Sequence, residues 1–277
     1  MDPELAGGLR EWLEDELASV VAAIPTSRRP IRIGAAQING SGALRGDDAA
    51  LGRLVPCLFR QWVTTGSFGD PLTDALAGES ALGDPAGTVE AVSRLPEDVR
   101  RLLSADVSSH AQRIRNTWPV LSPSWHPRTR ERLIVPLCGG GLVLGGTIDL
   151  IVGPQAVSEA TKCMVEVSAT DSQSERQTEH QTAHLHFYAL LETMRAGAAP
   201  SRVATYHTGD GVLSVEPVDE HMLVGALLRT IDIARRSCAL RVRDQHNVEE
   251  HCAGELSAGQ HCVGAKKDGK SDWGVPA

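Results

Sequence analysis

Lysine is scarce in this 277-residue chain: Lys162, Lys266, Lys267 and Lys270 are the full set. Upstream of the last three, chemistry that needs an ammonium group has only Lys162 to draw on, and positive charge otherwise rests on arginine. No run of eighteen or more apolar residues occurs, so no membrane span is expected. The segment Met1 to Leu13 is acidic and lacks the basic-then-apolar order of a secretion signal, which points to the cytoplasm. The six cysteines, at 57, 138, 163, 238, 252 and 262, form no C-x-x-C pair, so reduced thiols are the default. There is no internal repeat. There is no Gly-x-Ser-x-Gly elbow, which leaves a serine hydrolase without support. Gly139-Gly140-Gly141 lacks the lysine of a phosphate loop and opens a strand, so it reads as a hairpin turn. A net charge of −8 argues against a uniformly basic nucleic-acid binder and leaves room for a local basic groove.

Hydrophobic content of 42% and charged content of 22% are those of an ordinary globular protein. Apolar spacing predicts helices over 3–24, 48–64, Pro96 to about Asn116, 175–197 and 218–236. Residues 66–88 read as loop with a short helix. Strands are predicted near Ile31–Ile33 and over 132–137, 142–152, 163–168, 201–208 and 212–216. The order suggests an α/β fold: a central mixed β-sheet of four or five strands flanked by helices, with a helical N-terminal region. The expected division is a helical lobe over 1–110, a core over 111–236 and an irregular or partly disordered tail over 237–277.

Two carboxylates stand inside apolar strands. Asp149 sits in Gly146-Thr147-Ile148-Asp149, and Glu166 sits between Val165 and Val167. A charge set in an apolar strand is costly unless it is paired or binds metal. Carboxylates converging from neighbouring strands are what a magnesium ion needs, and such an ion can activate water for phosphodiester hydrolysis. Alternation puts Lys162, Glu166 and Ser168 on one face of their strand, Lys162 about 13 Å from Glu166. The bland alternative is a turn-adjacent Asp149 and an exposed edge Glu166.

The order of motifs resembles the RecB-type branch of the PD-(D/E)XK nucleases. Gly146-Thr-Ile-Asp149 matches that family's Gly-x-Ile-Asp strand, and Glu166-Val-Ser168 its acid-Val-Lys strand. His184-Leu-His-Phe-Tyr188-Ala-Leu-Leu191 matches its helix, and Gly197-Ala-Ala-Pro200 leads into the next strand. The upstream Trp118-Pro119 and Glu131 fit the family's lead-in. The resemblance covers residues 110–208 well and 45–65 weakly. It implies a PD-(D/E)XK nuclease-like core with magnesium or manganese held by Asp149 and Glu166. It also implies DNA as substrate and a role in DNA processing or repair. Asp149, Glu166, Lys162, Ser168 and His184 are then the catalytic candidates.

The departures fall on functional positions. Ser168 stands where the family has lysine, and a hydroxyl supplies no charge to a developing oxyanion. His184 replaces a glutamine that Gln181 could supply from one turn earlier, and Pro56 stands in the place of an upstream histidine ligand. Lys162, or Arg176 from the helix lead-in, is the available substitute cation. The rival reading is therefore a catalytically inactive nuclease-like domain that binds DNA or a partner such as a helicase. His180, His184 and His186 have partial zinc spacing without a third ligand. Some family members carry an iron–sulfur cluster, and Cys57, Cys238, Cys252 and Cys262 match that count for a cluster or zinc, but not its spacing. Arg113, Arg115, Arg128, Arg130 and Arg132, interleaved with Trp118 and Trp125, form a candidate grip on a nucleic-acid strand.

Overall fold

The structure, a computed structural model, describes residues 3–23, 30–38, 47–84, 87–153, 162–173 and 175–258, with main chain alone at 3, 36, 47, 48, 175–178, 180 and 242–258. Helix α1 (Pro3–Ala22) is followed by strand β1 (Ile31–Gly34) and a single turn, α2 (Ala35–Ile38). Four helices come next: α3 (Asp47–Thr65), α4 (Pro71–Ala81), α5 (Thr88–Ser93) and α6 (Glu97–Thr117). Then come β2 (Arg128–Leu137), β3 (Leu142–Val152), β4 (Cys163–Ser168), α7 (Glu175–Ala196), β5 (Arg202–His207), β6 (Val212–Pro217) and α8 (Glu220–Ala258). The architecture is α/β: a mixed six-stranded sheet flanked by helices.

Strand β3 is the hub of the sheet. Along one edge it pairs antiparallel with β2 from Leu142↔Leu137 to Ile151↔Arg128. Its other edge is shared. Strand β1 pairs parallel with residues 142–145, and β4 pairs antiparallel with residues 150–152. Residues 146–149 lie between these two partners, and among the described residues no strand pairs with them on that edge. The far side of β4 pairs parallel with β5 over its whole length, and β5 pairs antiparallel with β6. Strands β3 and β4 therefore fork immediately beyond the Leu150↔Val165 pair, and Asp149 and Glu166 are the first residues past the fork.

Strand alternation divides the core into two layers. Leu133, Val135, Leu137, Leu142, Leu144, Ile148 and Met164 pack against α1, α7 and α8. Leu150, Val165, Val167, Ala204 and Tyr206 pack against α3, α4 and α6, where Phe59, Trp118 and Tyr206 stack at centroid distances of 4.7 to 5.6 Å. The helices before residue 110 are thus not one lobe. Strand β1 threads into the sheet and leaves α1 on one face and α3–α6 on the other, while α6 runs unbroken across position 110.

The short helix expected within residues 66–88 is present, and the tail departs from expectation. Residues 71–81 form α4, opened by Asp70, whose carboxylate accepts from Thr73 N at 2.9 Å. The tail is helical as far as Ala258: α8 continues through Ser237 because residues 237–253 contain no proline or glycine to stop it. Residues 259–277 lie outside the described residues. Among the described residues, no helix is long and apolar enough to cross a membrane.

Candidate functional site at the strand fork

The fork leaves main-chain groups of β3 and β4 without ladder partners, and side chains take over. Asp149 Oδ2 accepts the Val167 N–H at 3.0 Å, so the carboxylate itself bridges the parted strands. From the α3 side, Arg60 Nη1 approaches Asp149 Oδ1 at 3.4 Å. Arg60 is steadied by Cys57, whose sulfur lies 2.9 Å from Nη2. Burial pushes the Asp149 carboxyl up to about 6; the Val167 N–H opposes the shift, Glu166 adds to it, and Arg60 counters it further.

The even-numbered residues of β4 face α7, and their polar members meet polar partners there. Gln181 donates to Ser168 Oγ, which also lies 2.7 Å from Thr170 Oγ1. His184 Nδ1 donates to Glu166 Oε1 at 3.1 Å. Burial alone would lower the His184 imidazole. The hydrogen bond and charge of Glu166, with a smaller share from the Ala35 backbone, reverse this and hold it above the ordinary histidine value. Three side-chain atoms of this patch are buried without a hydrogen-bond partner: Glu166 Oε2, Gln181 Oε1 and His184 Nε2. Buried polar atoms in that condition are rare and costly. The Tyr188 ring lies flush on Gly146, where an added Cβ would stand 2.4 Å from Cε1. Burial, reinforced by Glu166 and Asp149, holds the Tyr188 hydroxyl protonated.

The fork brings Asp149, Glu166, Ser168 and His184 into one neighbourhood. Lys162 faces α7 as alternation requires, but its ammonium pairs with Glu192 at 2.6 Å, at the opposite end of β4 from Ser168. It makes no contact with Asp149 or Glu166 among the described residues. The side chains of Arg176 and His180 lie outside the described residues. His186 turns away from His184, to Glu216 at 3.1 Å and Arg229 at 3.2 Å.

Two site residues were missed from the sequence. Arg60 stands one helical turn after Pro56, on the same face of α3, so the signal was the i, i+4 spacing. His207 is the register partner of Ser168 on β5, is 1% exposed, and has a buried Nδ1 without a partner. Burial lowers its imidazole, with Asp210 and Asp171 opposing.

Two carboxylates with a free buried oxygen suit magnesium, which commonly binds through one or two carboxylates and keeps its waters. Among the described residues, no group of three or more His, Cys, Asp or Glu side chains is placed to hold a metal. The four-cysteine cluster is not assembled. Cys57 lies in α3 against Glu79, while Cys238 is buried in the α1–α7–α8 layer on the opposite face of the sheet. The Cys252 side chain and Cys262 lie outside the described residues.

The chain matches no family model and no curated protein. Among solved structures it is similar to one described as the crystal structure of SSO0001, at 14% identity and a TM-score of 0.33, over 83% of this chain and 85% of that one. A similarity of that size carries no argument about function.

Proposed function

We propose that the chain is a divalent-metal-dependent nuclease domain of the RecB-like kind, acting on DNA phosphodiesters. The observation that carries this reading is the patch of three buried, unpartnered atoms, Glu166 Oε2, Gln181 Oε1 and His184 Nε2, beside a second carboxylate whose proton affinity is raised. Asp149 and Glu166 would hold magnesium or manganese, which supplies water activation and neutralises charge on the reacting phosphate. His184 is oriented by Glu166 through Nδ1, which leaves Nε2 to hold or pass a proton. Gln181 fixes Ser168 and keeps its own carbonyl oxygen free. Arg60 supplies the fixed positive charge that Ser168 cannot.

A second reading has its own support. With Ser168 at the lysine position and Lys162 committed to Glu192, the domain keeps the nuclease scaffold without its chemistry and binds DNA or a partner such as a helicase.

A cleavage assay on single-stranded and plasmid DNA with magnesium or manganese, paired with calorimetric manganese binding, separates the two. The nuclease reading expects cleavage that Asp149→Asn and Glu166→Gln each abolish. It also expects Arg60→Gln to cut more slowly while binding manganese severalfold more tightly, because a competing positive charge has gone. Cleavage that survives the double carboxylate change removes this site from consideration, and a wild-type protein that neither binds manganese nor cuts leaves the scaffold reading.

A further inference from the structure

The layer of α3, α4 and α6 covers only part of its side of the sheet. Its core takes Leu150 from β3, together with residues of β4 and β5, and nothing from β1 or β2. On that side, β1 presents Arg32, β3 presents Val143, Gly145 and Thr147, and β2 presents Arg132, Ile134 and Pro136. The register makes these direct neighbours: Arg32↔Val143↔Pro136, Gly145↔Ile134 and Thr147↔Arg132. Arg32, Thr147, Arg132, Ile134 and Pro136 are exposed. One solvated face is common for an antiparallel ribbon such as β2–β3, so what sets this face apart is its charge.

Its charge is of one sign. Arg32, Arg130 and Arg132 make no ion pair or hydrogen bond with any described residue. The acid of β2, Glu131, points to the other face, where Arg195 takes it at 3.4 Å. The row has a direction. From Arg32, opposite Val143, to Arg132, opposite Thr147, it follows β3 for roughly 13 Å and ends two residues short of Asp149. Arg130 holds φ at 54°, in the left-handed region, at the one gap in the β2–β3 ladder. A non-glycine residue there is uncommon and favours a functional reading. Two residues earlier in β2, Arg128 has Nε and Nη2 buried without hydrogen-bond partners. Beyond it, Trp125 is 51% exposed while its carbonyl is anchored by Gly153 N at 2.8 Å.

We propose that this face of β1, β3 and β2 binds single-stranded DNA, with Arg32, Arg132 and Arg130 on phosphates of one strand and Trp125 stacking a base past the fork. The inference rests on the nuclease reading for its direction, since the row leads into Asp149 and Glu166. Guanidinium forks match phosphate oxygens in pairs, and an extended row of them follows a strand better than it follows an acidic patch on a folded protein. An exposed indole is a sequence-tolerant stacking platform.

The test is fluorescence anisotropy of a short labelled oligodeoxythymidine with the full chain, in EDTA, across a salt series. The variants are Arg32→Ala/Arg130→Asn/Arg132→Ala, with asparagine chosen because it tolerates the left-handed backbone, and Arg132→Ala alone should the triple variant fold poorly. The control is Arg94→Ala/Arg100→Ala, which removes two arginines that are ion-paired to Glu90 and Glu97 elsewhere. The triple variant should weaken binding by about tenfold or more, and the slope of log K against log salt should fall by about 2, since each lost phosphate contact is worth about 0.7 on a single strand. The single variant should move the same way, and Trp125→Ala should weaken binding without changing the slope. Unchanged affinity and slope in the triple variant, an equal loss in the control pair, or displacement by polyglutamate as readily as by unlabelled DNA each overturns the proposal. Binding through these arginines without cleavage under any metal leaves the surface standing and removes the nuclease reading. Cleavage undiminished in the triple variant does the reverse.

Discussion

Glu192 has none of its side chain exposed, and two cations share it: Lys162 at 2.6 Å and Arg195 at 2.7 Å. Breaking a buried pair leaves a charge without its counter-ion, at a cost of about 3–5 kcal/mol, and the remaining arginine places this case near the low end. Lys162→Met should therefore lower unfolding free energy by about 3 kcal/mol in urea titrations while leaving manganese binding at the fork unchanged. Loss of manganese binding with stability intact would instead return Lys162 to the site. The strand-face rule puts Lys162 on the correct side of β4 but cannot say which α7 residue waits there. Arg60 shows the same limit from the other side. Its helix is legible from apolar spacing, and the i, i+4 step from Pro56 gives its face, but that spacing does not say that the guanidinium reaches Asp149.

At the scale of elements, α7 and β4 run side by side with matched polar positions: Gln181 with Ser168, His184 with Glu166, and Glu192 with Lys162. Gly146 is what lets the helix lie so close, because the Tyr188 ring occupies the space a Cβ would need. Gly146→Ala should cost about 1–3 kcal/mol by overpacking. It should also perturb the Tyr188 absorbance spectrum, which a mere change in strand propensity would leave alone. Strands β3, β4 and β5 and helix α7 are readable because period-two and helical patterns are strong there and glycines punctuate them. The α4 segment reads mostly as loop because Gly78, Asp74 and Pro71 weigh against a helix locally. In the fold, Asp70 caps it and the small Gly78 lets it pack on Cys57, whose Cβ would stand 3.0 Å from a Cβ added at Gly78. The fork itself is not legible, since it depends on β1, five helices away in the chain, taking part of the β3 edge.

For the whole molecule, buried histidines couple stability to pH. Burial lowers both His110 and His207; His110 Nδ1 donates to Thr208 Oγ1 at 2.9 Å, which donates in turn to the Ser168 carbonyl at 2.9 Å. Below about pH 6.5 the unfolded chain binds protons that these native imidazoles refuse, so their contribution is full above that pH and is lost as pH falls through it. Asp149 works in the opposite sense, because a carboxyl raised to about 6 takes its proton earlier in the native state. His110→Gln keeps a donor for Thr208 and removes the titration. The stability difference between about pH 7.5 and about pH 5.5, read from urea midpoints, should therefore be smaller in the variant than in the wild type. An equal difference in both would show that His110 does not contribute to the coupling.

The insertion of β1 beside β3 also sets a timetable for synthesis. Ile31 pairs with Leu142, so the first strand leaves the ribosome 111 residues before its partner exists. At about 5–20 residues per second, this apolar strand waits roughly 6 to 22 s with its edge open. Only when β3 emerges can the hub of the sheet close, and Asp149 is made seven residues after Leu142. The nascent chain thus carries α3 and its Arg60 for several seconds before the carboxylate it will meet, and a chaperone that shields residues 31–34 would act in that interval.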